Sequence, residues 1–585
     1  MMGNQDRSRT GSNGVLSLSR DSVQPSHEDR QAANAAKMAG RSPWPALLVL
    51  CMGFFMILLD TTIVNIAIPS IIDKLHATLD QILWVLNAYI LVYAVLLITA
   101  SRLGDRYGQR SLFVVGLFIF TAASALCGLA QDSNQLIAGR VVQGVGGALL
   151  TPQTLAIISV MFPPQRRGAA MGVWGAVAGV AAIAGPTLGG FLVTDVDWRW
   201  IFYVNLPVGV AAIILSFVYI PDVRPGRQHG WDLPGILTST AALFLIVFGL
   251  IEGQRYNWGT VAGFLTIPMI LVAGCVLLVA FLFLERRAAE PLVPLDLFRN
   301  RNFAILNWVT AAMSFGMLGL FLPLTIYLQS VLGLTALQAG LAIAPMSLTS
   351  MVIAPNAGRL TDRIGGKYIL MAGMALFAVG MGGIIFTARV DSTWLTFLPW
   401  LIVGGFGMGC IFAPATTVAM RNIPQHRVGA ASGVFNTTRQ LGGAVGSSIV
   451  GAVLQNRLSE ALKSEAASRS GQLPSQLPPS TRQQLVDSFN SSGGLEVGRG
   501  QTGSSGGSFQ APPNVPAAVV HQMQVQITAY FHDVFVNAYL TAMRPTLAIS
   551  VAVLLVGALS CFLIERRAVA ARRAEEERER SAVAS

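Results

Sequence analysis

Apolar stretches of about 20 residues recur along this chain, separated by short polar segments, and this rhythm constrains the fold more than any other feature. About 20 apolar residues wound as an α-helix cross the hydrocarbon core of a bilayer, and a helix satisfies its own backbone polar groups there. Fourteen such stretches are read, at about 45–69, 81–100, 112–130, 136–160, 168–192, 200–220, 233–253, 260–284, 303–329, 337–357, 368–388, 394–420, 429–454 and 544–564. The composition agrees: 53% of the 585 residues are hydrophobic and 12% charged, against roughly 25% charged in soluble chains.

The net charge of +11 would suggest nucleic acid in a soluble protein. Here the basic residues sort by loop instead. Alternate loops hold Arg102, Arg106, Arg110; Arg166, Arg167; Arg224, Arg227; Arg286, Arg287, Arg299, Arg301; Arg359, Arg363, Lys367; and Arg421, Arg427. The short loops between them hold only Lys74, Arg199, Arg255 and Arg389. Basic loops stay in the cytoplasm, so both termini are expected there and the chain is expected to be multi-pass in the cytoplasmic membrane. The five cysteines (Cys51, Cys127, Cys275, Cys410, Cys561) fall in or beside apolar runs without metal-ligand or redox spacing. No phosphate-cradling loop, nucleophile–base set or metal cluster is read, so an enzyme, a cofactor, a metal and a nucleic-acid partner are not expected.

The organisation follows. Residues 1–43 are polar, lack the apolar core of a leader peptide and read as a disordered cytoplasmic tail. A six-helix bundle is expected over 44–220, two linker spans over 221–302, and a second six-helix bundle over 303–564. The second contains an extracytoplasmic loop at 455–535. Its Gly/Ser-rich middle reads as flexible, and its ends, Arg457 to Ala466 and Val519 to Val536, as helical extensions of the flanking spans. Residues 565–585 form a cytoplasmic tail of mixed charge.

Two segments are near copies. Ser101-Arg-Leu-Gly-Asp105-Arg106-Tyr-Gly-Gln-Arg110 corresponds to Gly358-Arg-Leu-Thr-Asp362-Arg363-Ile-Gly-Gly-Lys367. Arg167-Gly-Ala-Ala-Met-Gly-Val173 corresponds to Val428-Gly-Ala-Ala-Ser-Gly-Val434. The copies sit between the second and third and at the start of the fifth span of each bundle. The fold expected is therefore all-α and membrane-embedded, with two parallel six-helix halves and two extra helices between them. Parallel halves related along the membrane normal place a substrate path at their interface.

Polar residues inside the spans point to the chemistry. All six histidines fall in loops or tails, Glu252 lies at the end of the seventh span, and Asp60 alone among the carboxylates is well inside one. Elimination makes Asp60 the candidate proton carrier, the alternative being a carboxylate satisfied by neighbouring donors. An ionised Asp at mid-span is costly unless partnered. Arg140 of the fourth span lies at a similar depth and is its candidate partner; helix packing is the other reading. Arg439, in the thirteenth span, stands where the first half has Ala178. It is read as binding an anionic group of substrate, as tuning Asp60 from across the cavity, or as structural.

Gly172, Gly175, Gly179, Ala182, Gly185 and Gly189 recur every three to four residues, expected to give a smooth stripe on one helix face, with Pro186 adding a bend. Asn65, Trp84, Asn87, Tyr89, Tyr93, Gln153, Asn307, Tyr327, Gln329 and Asn436 are candidates for a cavity lining or for packing.

These residues resemble the major facilitator superfamily, and within it the fourteen-span drug:proton antiporter family. Leu59-Asp-Thr-Thr-Ile-Val-Asn-Ile-Ala-Ile-Pro69 is similar to that family's first-span signature. Ser101–Arg110 resembles the superfamily's loop motif, with Ser101 in place of the leading glycine that Gly358 retains. Arg140-Val-Val-Gln143-Gly-Val-Gly-Gly-Ala148 resembles the fourth-span motif. The stretch from Gly175 to Gly190 resembles the antiporter motif. Trp198-Arg-Trp-Ile-Phe202, with Asn205 and Pro207, resembles the sixth-span entry.

The resemblance implies a proton-coupled exporter of drugs or other small amphipathic compounds, working as a monomer in lipid. Export of one endogenous lipid, siderophore or secondary metabolite is the alternative. It also implies that Asp105 and Arg106, with Asp362 and Arg363 as the second copy, latch the cytoplasmic side closed. Gly175, Gly179, Gly185, Pro186, Gly189 and Gly190 would limit leak through the closed interface.

Overall fold

A computed structural model describes residues 42–565, apart from 164, 222–231, 289–290, 422, 425–426, 475–476, 478 and 492–516. The tail at 1–41, residues 566–585, Arg224, Arg227 and the Gly/Ser-rich core of the long loop therefore lie outside the described residues. The first half comprises α1 (Trp44–Leu75), α2 (Leu79–Tyr107), α3 (Gln109–Leu129), α4 (Ser133–Met161) and α5 (Arg167–Phe191). Its last span is α6 (Asn205–Tyr219), entered through a short turn at Trp200–Tyr203. Two further helices follow, α7 (Leu233–Glu252) and α8 (Ile267–Arg287). The second half contains α9 (Arg301–Ile326), α10 (Ala336–Ile364), α11 (Lys367–Thr387), α12 (Trp394–Met420), α13 (Val428–Ser468) and α14 (Ala517–Ser560).

Thirteen helices among the described residues are long and apolar enough to cross a membrane. The α13 helix is not among them. It occupies its place in the repeat, but Asn436, Thr437, Thr438, Arg439, Gln440 and several glycines make it too polar by composition.

Local signals define the helix ends, and they repeat. Thr78 caps α2 and Thr335 caps α10, each in a reciprocal box with a glutamine three residues on, Gln81 and Gln338. The two caps are separated by the same sequence offset as Asp105 and Asp362. At the other ends Gly108 (φ 98°) and Gly365 (φ 87°) turn the chain in a region that a side chain rarely adopts.

The structure corrects three expectations. Residues 260–266 do not begin a span. Thr260–Ala262 and Leu265–Thr266 pair antiparallel in a hairpin, and α8 starts at Ile267. The glycines of α5 do not share one face. A Cβ at Gly179 would lie 2.6 Å from the Ser347 carbonyl of α10, one at Gly175 would lie 2.9 Å from the Phe412 ring of α12, and one at Gly189 would lie 2.8 Å from Ile63 of α1. The small residues wind around the helix because their spacing runs ahead of 3.6 per turn, so α5 meets the other half and its own half in succession.

The long loop is also not flexible throughout. As expected, α13 and α14 run far past span length. They are tied by the Tyr530 hydroxyl donating to the Ala466 carbonyl (2.7 Å). Between them, a helix at Pro479–Ser491 sets Phe489 against Phe531, with centroids 4.9 Å apart.

Candidate functional site

The first half is built around an ion pair. Asp60 on α1 and Arg140 on α4 are 0% and 1% exposed, and Arg140 Nη1 donates to Asp60 Oδ2. Gln143, one turn beyond Arg140 and on the same face, completes the set. Its Nε2 donates to Asp60 Oδ1 (2.8 Å) and to Ser124 Oγ of α3 (2.9 Å), while its Oε1 accepts from Arg140 Nη1 (2.7 Å). Arg140 Nε donates to the Val85 carbonyl of α2 (3.0 Å), and the guanidinium lies over the Tyr89 ring, 4.3 Å from its centroid. Four helices thus converge on one carboxylate.

Glycines let α4 come this close. A Cβ at Gly144 would lie 2.8 Å from the Tyr89 carbonyl, and one at Gly146 would lie 2.6 Å from the Phe120 nitrogen. The carboxylate accepts two strong donors, and a proton on it removes one acceptor and the charge that holds Arg140.

The loop-motif carboxylates occupy a second region, where the halves meet. Asp362 at the end of α10 accepts from the main-chain nitrogens of Gly168 (3.0 Å) and Ala169 (3.2 Å), at the start of α5. Asp105 at the end of α2 accepts from the main-chain nitrogen of Ala430, at the start of α13, and from the Gln109 side chain. Each aspartate therefore caps the N-terminus of a helix in the opposite half, where free N–H groups and the helix dipole favour negative charge. The arginines behave differently. Arg106 lies over Tyr107, with 5.7 Å to the centroid, and Arg363 is exposed. The cation beside Asp105 is Arg102, and Arg421 is the one beside Asp362.

The remaining candidates divide. Tyr93 bonds Thr151 Oγ1 (3.1 Å), stacks on Tyr89 (centroids 6.0 Å apart) and hydrogen-bonds Arg439, so these residues form one cluster across the halves. Asn87 donates to Glu252 at the end of α7 (3.1 Å), a buried carboxylate that also pairs with Arg255 (3.0 Å). Trp84 packs on Phe248 of the same helix. Gln153 braces α4 on the Ala100 carbonyl (2.8 Å), and Tyr327 donates to the Arg389 carbonyl (2.6 Å). Asn65, Asn307 and Asn436 each bond a carbonyl one turn back in their own helix. Pro186 and Gly190 face Gly340 and Leu337 of α10. Sequence reasoning missed Gln143, Ser124 and the Asn87–Glu252 contact; only Gln143 carried a signal, its i+3 position from Arg140.

The Major Facilitator Superfamily profile matches residues 50–447. The chain is 42% identical over 431 residues to the MFS-type transporter Rv1250 of Mycobacterium tuberculosis, covering 73% of each. It is 36% identical over 429 residues to the tetracenomycin C resistance and export protein of Streptomyces glaucescens, covering 73% of this chain and 78% of that one. Identity to the multidrug resistance protein Stp of Mycobacterium tuberculosis is 36% over 420 residues, covering 71% and 77%. Among solved structures, the human organic anion transporter MFSD10 matches with a TM-score of 0.53 at 14% identity, over 71% of this chain and 94% of that one, a likeness of fold.

Proposed function

From the premise that the chain belongs to the Major Facilitator Superfamily, we propose that it is a proton-driven exporter of drugs or other small amphipathic compounds across the cytoplasmic membrane. Both termini face the cytoplasm. The observation that carries this reading is the fully buried Asp60, held by Arg140 and Gln143. With Asp60 ionised, both donors are satisfied. A proton arriving from outside neutralises it and frees Arg140 and Gln143 to repack, which changes the balance between outward- and inward-facing arrangements of α1 and α4. A titrating group in a packed core biases such a two-state element by its differential interaction with the two states.

Asp105 and Asp362 act as the cytoplasmic latch, through their carboxylates on α13 and α5. Their release accompanies opening to the inside. The small residues of α5 that meet α10, Gly172 and Gly179 among them, let the halves pack closely while the latch is closed.

The likeness to a multidrug resistance protein and to a tetracenomycin C resistance and export protein supports a drug-like substrate. The tetracenomycin C relative also favours a narrower reading, export of one specific compound. A compound panel tested in proteoliposomes, with and without an imposed pH gradient, separates the two. Gradient-dependent movement of several unrelated amphipathic compounds supports the broad exporter. Movement of one compound supports the narrow one, and movement indifferent to the gradient contradicts proton coupling.

A further inference from the structure

Arg439 differs from Arg140 in what surrounds it. Arg140 has a carboxylate, whereas Arg439 takes part in none of the ion pairs among the described residues. Its two recorded neighbours are the Tyr93 hydroxyl of the other half and the Phe412 ring, 5.4 Å to the centroid. A guanidinium this deep in a span is costly without an anion, so the site favours a ligand that brings one.

Its surroundings add a shape. Phe412 stacks on Trp174 (5.1 Å, 29°), which stacks on Phe54 (4.2 Å, 25°). Three rings from α12, α5 and α1 therefore lie in series beside Arg439. Trp174 is 0% exposed and its indole N–H has no hydrogen-bond partner among the described residues. The buried Tyr89 hydroxyl is likewise without one. Both groups can donate, whereas Asn436 Oδ1, one turn before Arg439 on α13, is a buried acceptor without a partner among the described residues.

The position also fits a ligand path. From one end, α2 and α13 touch at Asp105 and Ala430, then at Ser101 and Gly433, then at Tyr93 and Arg439. Further along, both helices turn to α7 instead: Asn87 reaches Glu252, and Gln254 of the turn after α7 donates to the Ser448 carbonyl (3.2 Å). Arg439 stands on the last of these α2–α13 rungs. Tyr93 and Tyr89 then connect it to Arg140 and Asp60.

We propose that Arg439, with the Trp174 indole N–H and the Phe412 ring, is a subsite for planar aromatic substrates bearing a carboxylate or phenolate oxygen. This rests on the exporter reading and names the substrate class for it. The rings take the aromatic face, and the guanidinium and indole take the anionic oxygen through charge-assisted hydrogen bonds.

The test is equilibrium binding of two dyes to the full-length protein in lipid nanodiscs, read by fluorescence anisotropy. Fluorescein and rhodamine 123 share a three-ring core, but the first is anionic and the second cationic. Wild type is expected to prefer fluorescein. Arg439→Gln should lower the fluorescein-to-rhodamine affinity ratio about tenfold or more, since a charged hydrogen bond is removed. Arg439→Lys keeps the charge without the planar fork and should lose less. Trp174→Phe keeps the stack and deletes only the N–H, and should lower the ratio a few-fold. It serves where Arg439→Gln does not fold. An unchanged ratio in these variants, or a wild-type preference for rhodamine 123, overturns the subsite and leaves the exporter standing. If neither dye binds wild type, the broad exporter reading falls with it.

Discussion

The two halves of this protein are alike where they meet and unlike where they are buried. Asp105 and Asp362 cap α13 and α5 of the opposite half in the same way, from copied loops and after copied Thr–Gln caps. Around Asp60 there is no copy. The α9 helix, which repeats α1, carries no acidic residue, and the stretch of α12 corresponding to Arg140, Phe397–Leu401, is wholly apolar. The contacts between the halves at these ends are built from duplicated parts. The buried ion pair sits in one half only, and on the proposed reading the coupling chemistry does too. In the second half Arg439 stands at the position of Ala178.

This asymmetry gives the largest expected effect. Asp60→Asn should abolish pH-driven efflux, by about a hundredfold or more, because the amide has no proton to exchange. No residue of α9 can substitute. Efflux at wild-type rate in vesicles holding normal amounts of the variant would move proton coupling elsewhere.

Arg140→Ala comes next. Removing a cation from a buried carboxylate favours its protonated form, so the pH profile of efflux should shift upward. Arg140→Lys should shift it less. The variant should also be less stable, since breaking a buried pair costs about 3–5 kcal/mol, and a thermal melt in detergent measures that. An unshifted profile would make Arg140 a packing residue.

The duplicated region should respond symmetrically. Asp105→Ala and Asp362→Ala each remove one cap and should slow turnover roughly tenfold, on the scale of about 1–2 kcal/mol for a lost helix cap, with little change in substrate affinity. A loss confined to one of them would break the symmetry, and a selective loss of affinity would contradict the latch.

The smallest effect belongs to the long loop. Replacing 471–515 with a short linker should leave efflux near wild type while lowering the melting temperature by a few degrees. Phe489 would be stripped from Tyr530 and Phe531. An inserted but inactive deletion would instead give the loop a part in transport.

Most of this arrangement was legible in the sequence for a physical reason. Lipid forces helices of a set length, and depth along a helix follows from residue number, so Asp60 and Arg140 could be matched by depth alone. Gln143 was hidden because it lies among glycines whose evident role is close packing. The contact between Asn87 and Glu252 was hidden because no periodicity tells which helix the inserted α7 leans on. The hairpin at 260–266 was misread because Val261, Phe264 and Leu265 continue the apolar run of α8. The winding of the α5 glycines was misread because intervals of three and four look alike over one turn and diverge over five.

The most direct measurement of the central claim is proton release. Purified protein in weakly buffered detergent is mixed with a compound that the panel shows it exports, and a pH indicator reports protons displaced on binding. Wild type should release up to one proton per substrate bound. Asp60→Asn, binding the same compound, should release none. Equal release from both proteins would contradict Asp60 as the coupling residue.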